Sequence, residues 1–248
     1  MYHRTRPSSA PSFVAALVIA LAPGAAFAQS YTLTETFGTF SSIASTGSPV
    51  TVNSQDDGSG SVSLPSAFMY FGTPVSTIYP CTNGYVSFDQ PTADLSPDVF
   101  PSFSAPNGMA AAYWTDLVLG SGAIYTQQSG TTFIIEWSNV QIYQASDIIS
   151  FQVRLNMQTG AIEMIYGPRT GSGSASGMGL EDATGSIGVG RACGTSCVFS
   201  DVPQGTVLHY EPTGATSSLD LSISANTSLP ATVVPGTHYS VSVTVQNR

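Results

Sequence analysis

The sequence predicts an all-β fold, an antiparallel β-sandwich with a short C-terminal two-strand extension. Helical periodicity is nearly absent after residue 28, and the chain's 24 Gly and 16 Pro separate short runs rich in Val, Ile, Thr, Tyr and Phe. Short runs of this composition between turn residues are typical of β-sandwiches. The clearest alternation lies in residues 150–157, where Phe151, Val153, Leu155 and Met157 alternate with polar side chains.

The first 28 residues have the pattern of a secretory signal peptide. Arg4 and Arg6 precede the apolar run Phe13–Leu21, and Ala26-Phe27-Ala28 provides a small-x-small cleavage site. The apolar run is too short to span about 30 Å of hydrocarbon. We therefore expect residues 1–28 to be removed and the product to be secreted, extracellular or at the cell surface.

The charge balance excludes two classes of partner. The chain has 248 residues, a net charge of −9, and 6 Lys+Arg residues that are all arginine. Nucleic acids and anionic lipid surfaces both require a basic face, so we expect neither to be a partner. We also expect no membrane insertion after removal of the signal peptide.

The chain has three cysteines, and export is expected to place them in an oxidising compartment. Cys193 and Cys197 flank a short Gly-Thr-Ser loop, which favours a structural disulfide between them. A redox-active pair is the alternative, although that chemistry typically uses two intervening residues at a helix start. Cys81 is then left as a small buried apolar residue.

A β-hairpin is expected around Asn83-Gly84, between runs at residues 77–82 and 85–88. Asn-Gly between two such runs indicates a type I′ turn, in which both central residues have positive φ.

A three-stranded meander is expected over residues 133–137, 150–157 and 161–166, with turns near Ala145 and at Thr159-Gly160. One face of this meander is expected to be buried. Its core side chains are Phe133, Ile135, Trp137, Phe151, Val153, Leu155, Met164 and Tyr166.

The predicted register of the meander places Glu136 opposite Arg154, with Glu163 diagonal to Arg154 on the outer face. The same register sets Leu155 opposite Met164 and Val153 opposite Tyr166.

Two carboxylates on either side of a cleft are the catalytic groups of a glycosidase, but an arginine between Glu136 and Glu163 would keep both carboxylates ionised. We therefore expect Glu136, Arg154 and Glu163 to form a structural surface ion pair.

Neither a catalytic site nor a zinc site is predicted. His209 and His238 are the only histidines after residue 28, and they do not have the spacing of zinc ligands. The sequence also lacks a Gly-x-Ser-x-Gly nucleophile elbow in a strand–turn–helix context. No cofactor is expected, except that the turn at residues 56–60 and the pair Glu181-Asp182 offer oxygen ligands for Ca²⁺. Turn chemistry explains both acidic groups equally well.

Seven short segments between residues 60 and 190 carry a resemblance: Phe71-Gly72, residues 82–88, 105–107, 112–117, 135–140, 151–155 and 179–185. In order and spacing they resemble the nidogen-like β-sandwich modules of secreted bacterial proteins. The resemblance implies an extracellular, non-catalytic module of surface, adhesive and matrix proteins that also occurs beside secreted hydrolases. Cys81 stands where serine is common. Thr115 stands where an acid often precedes Asp116, which argues against an acidic metal site there.

The C-terminal tail resembles the truncated start of an immunoglobulin-like bacterial surface repeat. Such a repeat needs about 100 residues, many more than the tail provides. The expected organisation is therefore a signal peptide (1–28), a nidogen-like sandwich (29–212), a linker (213–218) and an incomplete Ig-like segment (219–248).

The expected function is a secreted non-catalytic binding or structural module in cell-surface or extracellular-matrix adhesion, with an extracellular protein or glycan as partner. The alternative is a carbohydrate-binding accessory domain of a secreted hydrolase, in which Tyr113 and Trp114 would stack on sugars. Residues 110–117 are largely apolar, so core packing is the competing interpretation of these two aromatic residues.

Overall fold

The structure is a computed structural model that describes residues 29–193 and 196–213 in full, and the backbone of two strands at 222–225 and 243–246. The predicted signal peptide and linker (apart from Thr213, which ends a strand) lie outside the described residues. The predicted all-β sandwich is confirmed, because two antiparallel sheets pack around one main core.

The larger sheet has eight strands: β1 (Ser30–Phe37), β2 (Ser48–Pro49), β7 (Leu117–Val118), β8 (Ala123–Ser129), β9 (Thr132–Ile142), β10 (Ile148–Asn156), β11 (Ile162–Thr170) and β14 (Thr206–Thr213). Their order is β1-β14-β11-β10-β9-β8-β2, with β7 also paired to β9.

The smaller sheet has six strands: β3 (Val62–Tyr70), β4 (Thr73–Cys81), β5 (Tyr85–Ser87), β6 (Met109–Trp114), β12 (Gly177–Glu181) and β13 (Gly188–Gly190). Their order is β13-β12-β6-β5-β4-β3. A short 3-10 turn, Phe199–Asp201, precedes β14.

Aromatic side chains of the meander join the two sheets. Trp137 is fully buried and stacks on Phe151 with ring centroids 5.0 Å apart, as the predicted core face requires. Its indole Nε1 donates a hydrogen bond of 2.8 Å to the carbonyl oxygen of Cys81, at the end of β4 in the opposite sheet. Tyr166 likewise donates to the carbonyl oxygen of Ala112 in β6 at 2.6 Å. Polar groups inside the core therefore fix how one sheet lies on the other.

The predicted meander is present, but its register differs from the prediction by two residues in both hairpins. Glu136 lies opposite Gln152 rather than Arg154. A bulge between Ile149 and Phe151 and a left-handed Gln144 in the turn account for the difference in the first hairpin.

In the second hairpin the turn is centred one residue earlier than predicted, between Gln158 and Thr159, so Val153 pairs with Met164 and Leu155 pairs with Ile162. An even shift keeps every side chain on its predicted face, which is why the core face is correct although the partners are not.

The hairpin at Asn83-Gly84 also forms, but it is not a type I′ turn. Cys81 pairs with Tyr85, which leaves a three-residue connection. Within the Asn83-Gly84 pair, only Gly84 has positive φ, at +86°. A Cβ at Gly84 would lie 2.1 Å from the carbonyl oxygen of Tyr113, so any other residue would clash with β6.

The cysteine prediction is confirmed. Cys193 and Cys197 form a disulfide, and Cys81 is a buried free cysteine. Burial raises the pKa of the Cys81 thiol to about 11, which keeps it protonated and unreactive at neutral pH.

The two C-terminal strands, β15 (Ser222–Ala225) and β16 (Val243–Gln246), pair antiparallel as a separate two-stranded sheet. This agrees with the predicted two-strand extension. The remaining residues of the predicted Ig-like segment lie outside the described residues.

Removal of the Trp137 side chain tests the packing of the two sheets. We expect Trp137→Ala to reduce the free energy of unfolding by about 3–5 kcal/mol, because it opens a cavity and removes the indole hydrogen bond to the Cys81 carbonyl oxygen. Urea unfolding monitored by circular dichroism measures the loss. Arg154→Ala, at a partly exposed position of the same meander, is the control and should cost at most about 1 kcal/mol. Equal losses in the two variants would contradict this packing.

Candidate functional site

Three aspartates from separate parts of the chain form an acidic cluster. One carboxylate oxygen from each of Asp56, Asp57 and Asp116 lies within 4.8 Å of the others. Asp57 is exposed, whereas Asp56 and Asp116 are half-buried. Among the residues that the structure describes, this is the one group of three or more acidic, histidine or cysteine side chains placed to hold a metal ion.

The hairpin residues Thr82 and Asn83 hold the Asp56-Asp57 turn in this position. The Thr82 hydroxyl accepts a 3.0 Å hydrogen bond from the Gly58 amide and contacts the Asp56 carbonyl oxygen. Asn83 Nδ2 donates to Asp57 Oδ1 at 2.9 Å. The Asn83 carbonyl oxygen accepts from the Thr115 amide at 3.3 Å, next to Asp116. A single turn therefore brings together acids that lie far apart in the sequence.

The electrostatics of the cluster are repulsive. Partial burial, followed by the negative charges of Asp57 and Asp56, raises the pKa of Asp116 above its usual value. The Oδ1 atom of Asp56 is buried and has no hydrogen-bond partner among the described residues. Carboxylate oxygens are the ligands that hard cations such as Ca²⁺ prefer, so the arrangement has the chemistry of a cation site.

The sequence indicates two of the three aspartates of this cluster. The turn at residues 56–60 is a predicted candidate for Ca²⁺, whereas Thr115 is expected to weaken an acidic metal site near Asp116. The acidic neighbours of Asp116 are Asp56 and Asp57, not the adjacent residue. One sequence feature could have indicated that Asp116 lies near this turn: Asn83-Gly84 and Trp114-Thr115-Asp116 both belong to the segments that carry the nidogen-like resemblance.

The second acidic pair, Glu181-Asp182, does not form a joint site. Glu181 is almost fully buried and its Oε2 accepts a 2.9 Å hydrogen bond from the Ser102 amide. Desolvation raises the pKa of Glu181 to about 7. Asp182 instead accepts hydrogen bonds from the Ser186 and Ile187 amides of the following turn. Both acids therefore hold backbone segments in place.

The predicted surface ion pair of Glu136, Arg154 and Glu163 needs correction. Glu136 lies on the predicted outer face but is fully buried, because residues 41–43 cover it. Its carboxylate accepts hydrogen bonds from the Ser42 hydroxyl (2.5 Å), the Ile43 amide (2.6 Å) and Gln152 Nε2 (2.7 Å). Glu136 therefore holds residues 41–43, in the connection between β1 and β2, on the outer face of the larger sheet.

Arg154 still contacts Glu163, at 4.0 Å between Nη1 and Oε2. Its Nε donates to Gln152 Oε1 at 2.8 Å, so Arg154 reaches Glu136 only through Gln152. Glu163 also lies 3.2 Å from Nδ1 of His209, whose Nε2 lies 3.0 Å from Glu211. The result is a row of polar contacts across the outer face of the larger sheet.

The suggested ligand-stacking residues, Tyr113 and Trp114, are both buried. The Tyr113 hydroxyl donates to the Ser174 carbonyl oxygen at 2.8 Å, and its ring packs on Phe199. Trp114 packs edge-on against Tyr85. Neither ring presents a face to solvent, so the sugar-stacking interpretation of these residues is wrong, and the alternation of β6 across two buried faces explains why.

Comparison with known families decides the relationship of this chain. The NIDO-related (nidogen-related) family model matches residues 30–232, more than half of the chain. The chain belongs to the NIDO-related family. No curated protein and no solved structure matches it significantly. The family indicates an extracellular structural or binding module.

The NIDO-related match covers the whole sandwich and continues past Thr213, where β14 ends. It therefore extends through the predicted linker and into the segment expected to be Ig-like, of which the comparison gives no indication. In the part of this NIDO-related chain that the structure describes, no helix is long and apolar enough to cross a membrane.

Neutralising Asp116 tests the repulsion within the cluster of this NIDO-related domain. A carboxyl group whose pKa is raised by folding contributes most stability below its unfolded pKa, and this contribution is lost as the pH rises. We therefore expect Asp116→Asn to increase stability at pH 7 by up to about 1 kcal/mol, and the gain to disappear below about pH 4. Thermal unfolding in the presence of a chelator, at several pH values, measures the difference.

The same measurement with added Ca²⁺ examines the cation chemistry of the cluster. One outcome is that Ca²⁺ stabilises the wild type and that Asp116→Asn abolishes this effect. In that case a bound cation neutralises the three carboxylates, and they do not repel one another when Ca²⁺ is present. A loss of stability for Asp116→Asn in the chelator would contradict the repulsive interpretation.

Proposed function

We propose that this chain is a secreted, non-catalytic binding or structural module that acts in adhesion at the cell surface or in the extracellular matrix. The observation that carries the proposal is the NIDO-related match over residues 30–232. The signal-peptide pattern of residues 1–28 and the disulfide between Cys193 and Cys197 support an oxidising, extracellular location.

The hydrogen bonds made by side chains in the nidogen-like segments support a structural role for these residues. Asn83, Tyr113 and Trp114 all belong to the segments that carry the nidogen-like resemblance, and each donates its side-chain hydrogen bonds to neighbouring loops. The motif therefore builds a rigid frame that holds surface loops. A frame of this kind suits a module whose loops bind and whose core is inert.

The Ig-like tail remains part of this proposal. The antiparallel pairing of β15 with β16 is compatible with the start of a further β-domain. Two paired strands are too few to be stable alone, so β15 and β16 would need to pack against other β-structure.

A gene deletion in the producing organism tests the function. We expect cells without the protein to attach less to surfaces or matrix, and the wild-type gene to restore attachment. The protein itself should be found outside the cell, beginning at Gln29 by N-terminal sequencing. A glycan array and a panel of glycosidase and peptidase substrates provide the comparison. Normal attachment of the deletion strain, or turnover of any of these substrates, would contradict the proposal.

A further inference from the structure

The longest irregular segment of the sandwich is the Pro-rich loop, residues 89–108, which connects β5 to β6. It exposes three of the six large apolar side chains that are exposed in the described part of the chain. These are Leu95 (38% exposed), Val99 (57%) and Phe103 (81%). Because half of the large exposed apolar side chains of the described residues lie in one loop, the loop is a candidate interaction surface.

The Pro-rich loop is held firmly although it has no regular secondary structure. At one end, the Asp94 amide donates to the Tyr85 hydroxyl at 2.9 Å, and the Asp94 carbonyl oxygen accepts from Trp114 Nε1 at 3.0 Å. In its second half, the Ser102 amide donates to buried Glu181. The loop therefore loses little conformational entropy on binding, which favours recognition by a preformed surface.

Close contact with β12 fixes the middle of the Pro-rich loop. The ring of Phe100 lies against Gly179, where an added Cβ would come within 2.7 Å of the ring. The same ring packs beside Trp114 at 6.1 Å between centroids. Val99 is 57% exposed, and it lines a surface cavity together with Asp98 and Phe100.

The Pro-rich loop is also uniformly acidic. It contains Asp89, Asp94 and Asp98 and no basic residue. A groove of about 500 Å³ beside it is lined by Asp89, Asp94, Pro106, Asn107 and Ala183, among others. Asp94 uses Oδ1 to accept the Ser96 amide. The groove therefore combines two carboxylates with small apolar residues and neutral polar residues such as Gln90 and Thr92, and none of the described residues that line it is basic.

A second copy of this chain is a poor occupant of the groove. The chain has no lysine, and its described arginines are already engaged. Arg154 contacts Glu163, Arg169 donates to the Val202 carbonyl oxygen, and Arg191 pairs with Glu35 at 3.0 Å. An acidic glycan would be repelled by the aspartates, and a neutral glycan would gain nothing from their charge. The charge complementarity points to a basic protein.

We propose that the Pro-rich loop docks a basic segment of an extracellular protein. A Lys or Arg side chain of the partner enters the groove between Asp89 and Asp94, and a neighbouring apolar side chain packs on the exposed Leu95 and Phe103, which lie within two residues of the groove-lining Asp94 and Ala105. This inference rests on the proposed binding function and names the surface and partner chemistry that would carry it.

Binding of synthetic peptides to the purified chain tests the proposal. The probe is a short peptide that combines Lys with Phe and Leu, and two matched peptides replace either every Lys by Gln or every Phe and Leu by Ser. Backbone amide shifts in NMR spectra report the binding site. We expect saturable shifts within residues 89–108 with the first peptide, and binding weakened at least about fivefold with each matched peptide.

Two charge-neutralised proteins separate a specific site from general attraction. Asp89→Asn with Asp94→Asn should weaken binding at least about fivefold, while the amide oxygen introduced at position 94 can still accept the Ser96 amide and preserve the loop. Glu163→Gln with Glu211→Gln removes the same charge from the outer face of the larger sheet and should leave binding unchanged. Phe103→Ser, at an exposed position, should weaken binding without affecting folding.

Three results would overturn the docking surface: no saturable shifts in the loop, equal binding of the all-polar cationic peptide, or equal weakening in the two charge-neutralised proteins. The attachment assay then separates the two proposals. If Asp89→Asn with Asp94→Asn restores attachment to the deletion strain as well as the wild type does, the docking surface is wrong and the adhesive function stands. If the deletion strain has no defect, the function itself is wrong.

Discussion

The buried amide of Asn83 is the constraint on which the arrangement of the loops depends. Asn83 is fully buried, and both ends of its side-chain amide are engaged. Nδ2 donates to Asp57 Oδ1 at 2.9 Å and to the Ala93 carbonyl oxygen at 3.4 Å, while Oδ1 accepts from the Leu117 amide at 2.9 Å. One side chain thereby connects two loops and the start of β7. In a low-dielectric interior, removing the Asn83 amide would leave its hydrogen-bond partners buried without a partner of their own. Each of those groups would then carry the full cost of its desolvation.

The neighbours of Asn83 extend this constraint to both sheets. Gly84 allows β6 to approach closely, and the Cys81 carbonyl oxygen receives the indole of Trp137 from the larger sheet. The acidic cluster and the first part of the Pro-rich loop are therefore consequences of the same turn. Glu136 has the corresponding task on the outer face, where its carboxylate holds residues 41–43. In both places a buried side chain accepts a hydrogen bond from a backbone amide, that of Leu117 at Asn83 and that of Ile43 at Glu136.

The sequence predicted what local pattern determines. Alternation located the core face of the meander, the short Gly-Thr-Ser spacing identified the disulfide, and Asn83-Gly84 located a hairpin. It could not predict the exact register, because the bulge near Ser150 changes the pairing without changing which face is buried. It could not predict that Glu136 is buried either, because the segment that covers it is distant in the sequence. Non-local contacts also decided the acidic cluster, since Thr82, Asn83 and the hydrogen bond from the Leu119 amide to the Gln55 carbonyl oxygen bring Asp116 to the Asp56-Asp57 turn.

The stability of Asn83→Asp relative to Asn156→Asp tests the central role of Asn83 most directly. The first substitution removes the donor and places a carboxylate against Asp57. The second occurs where the side-chain oxygen only accepts hydrogen bonds, from the Gln158 and Thr159 amides, so the same change keeps the contacts. Urea unfolding at pH 7 should show a loss of at least about 3 kcal/mol for Asn83→Asp, or failure to fold, and less than about 1 kcal/mol for Asn156→Asp. A loss for Asn83→Asp as small as that of Asn156→Asp would contradict the account.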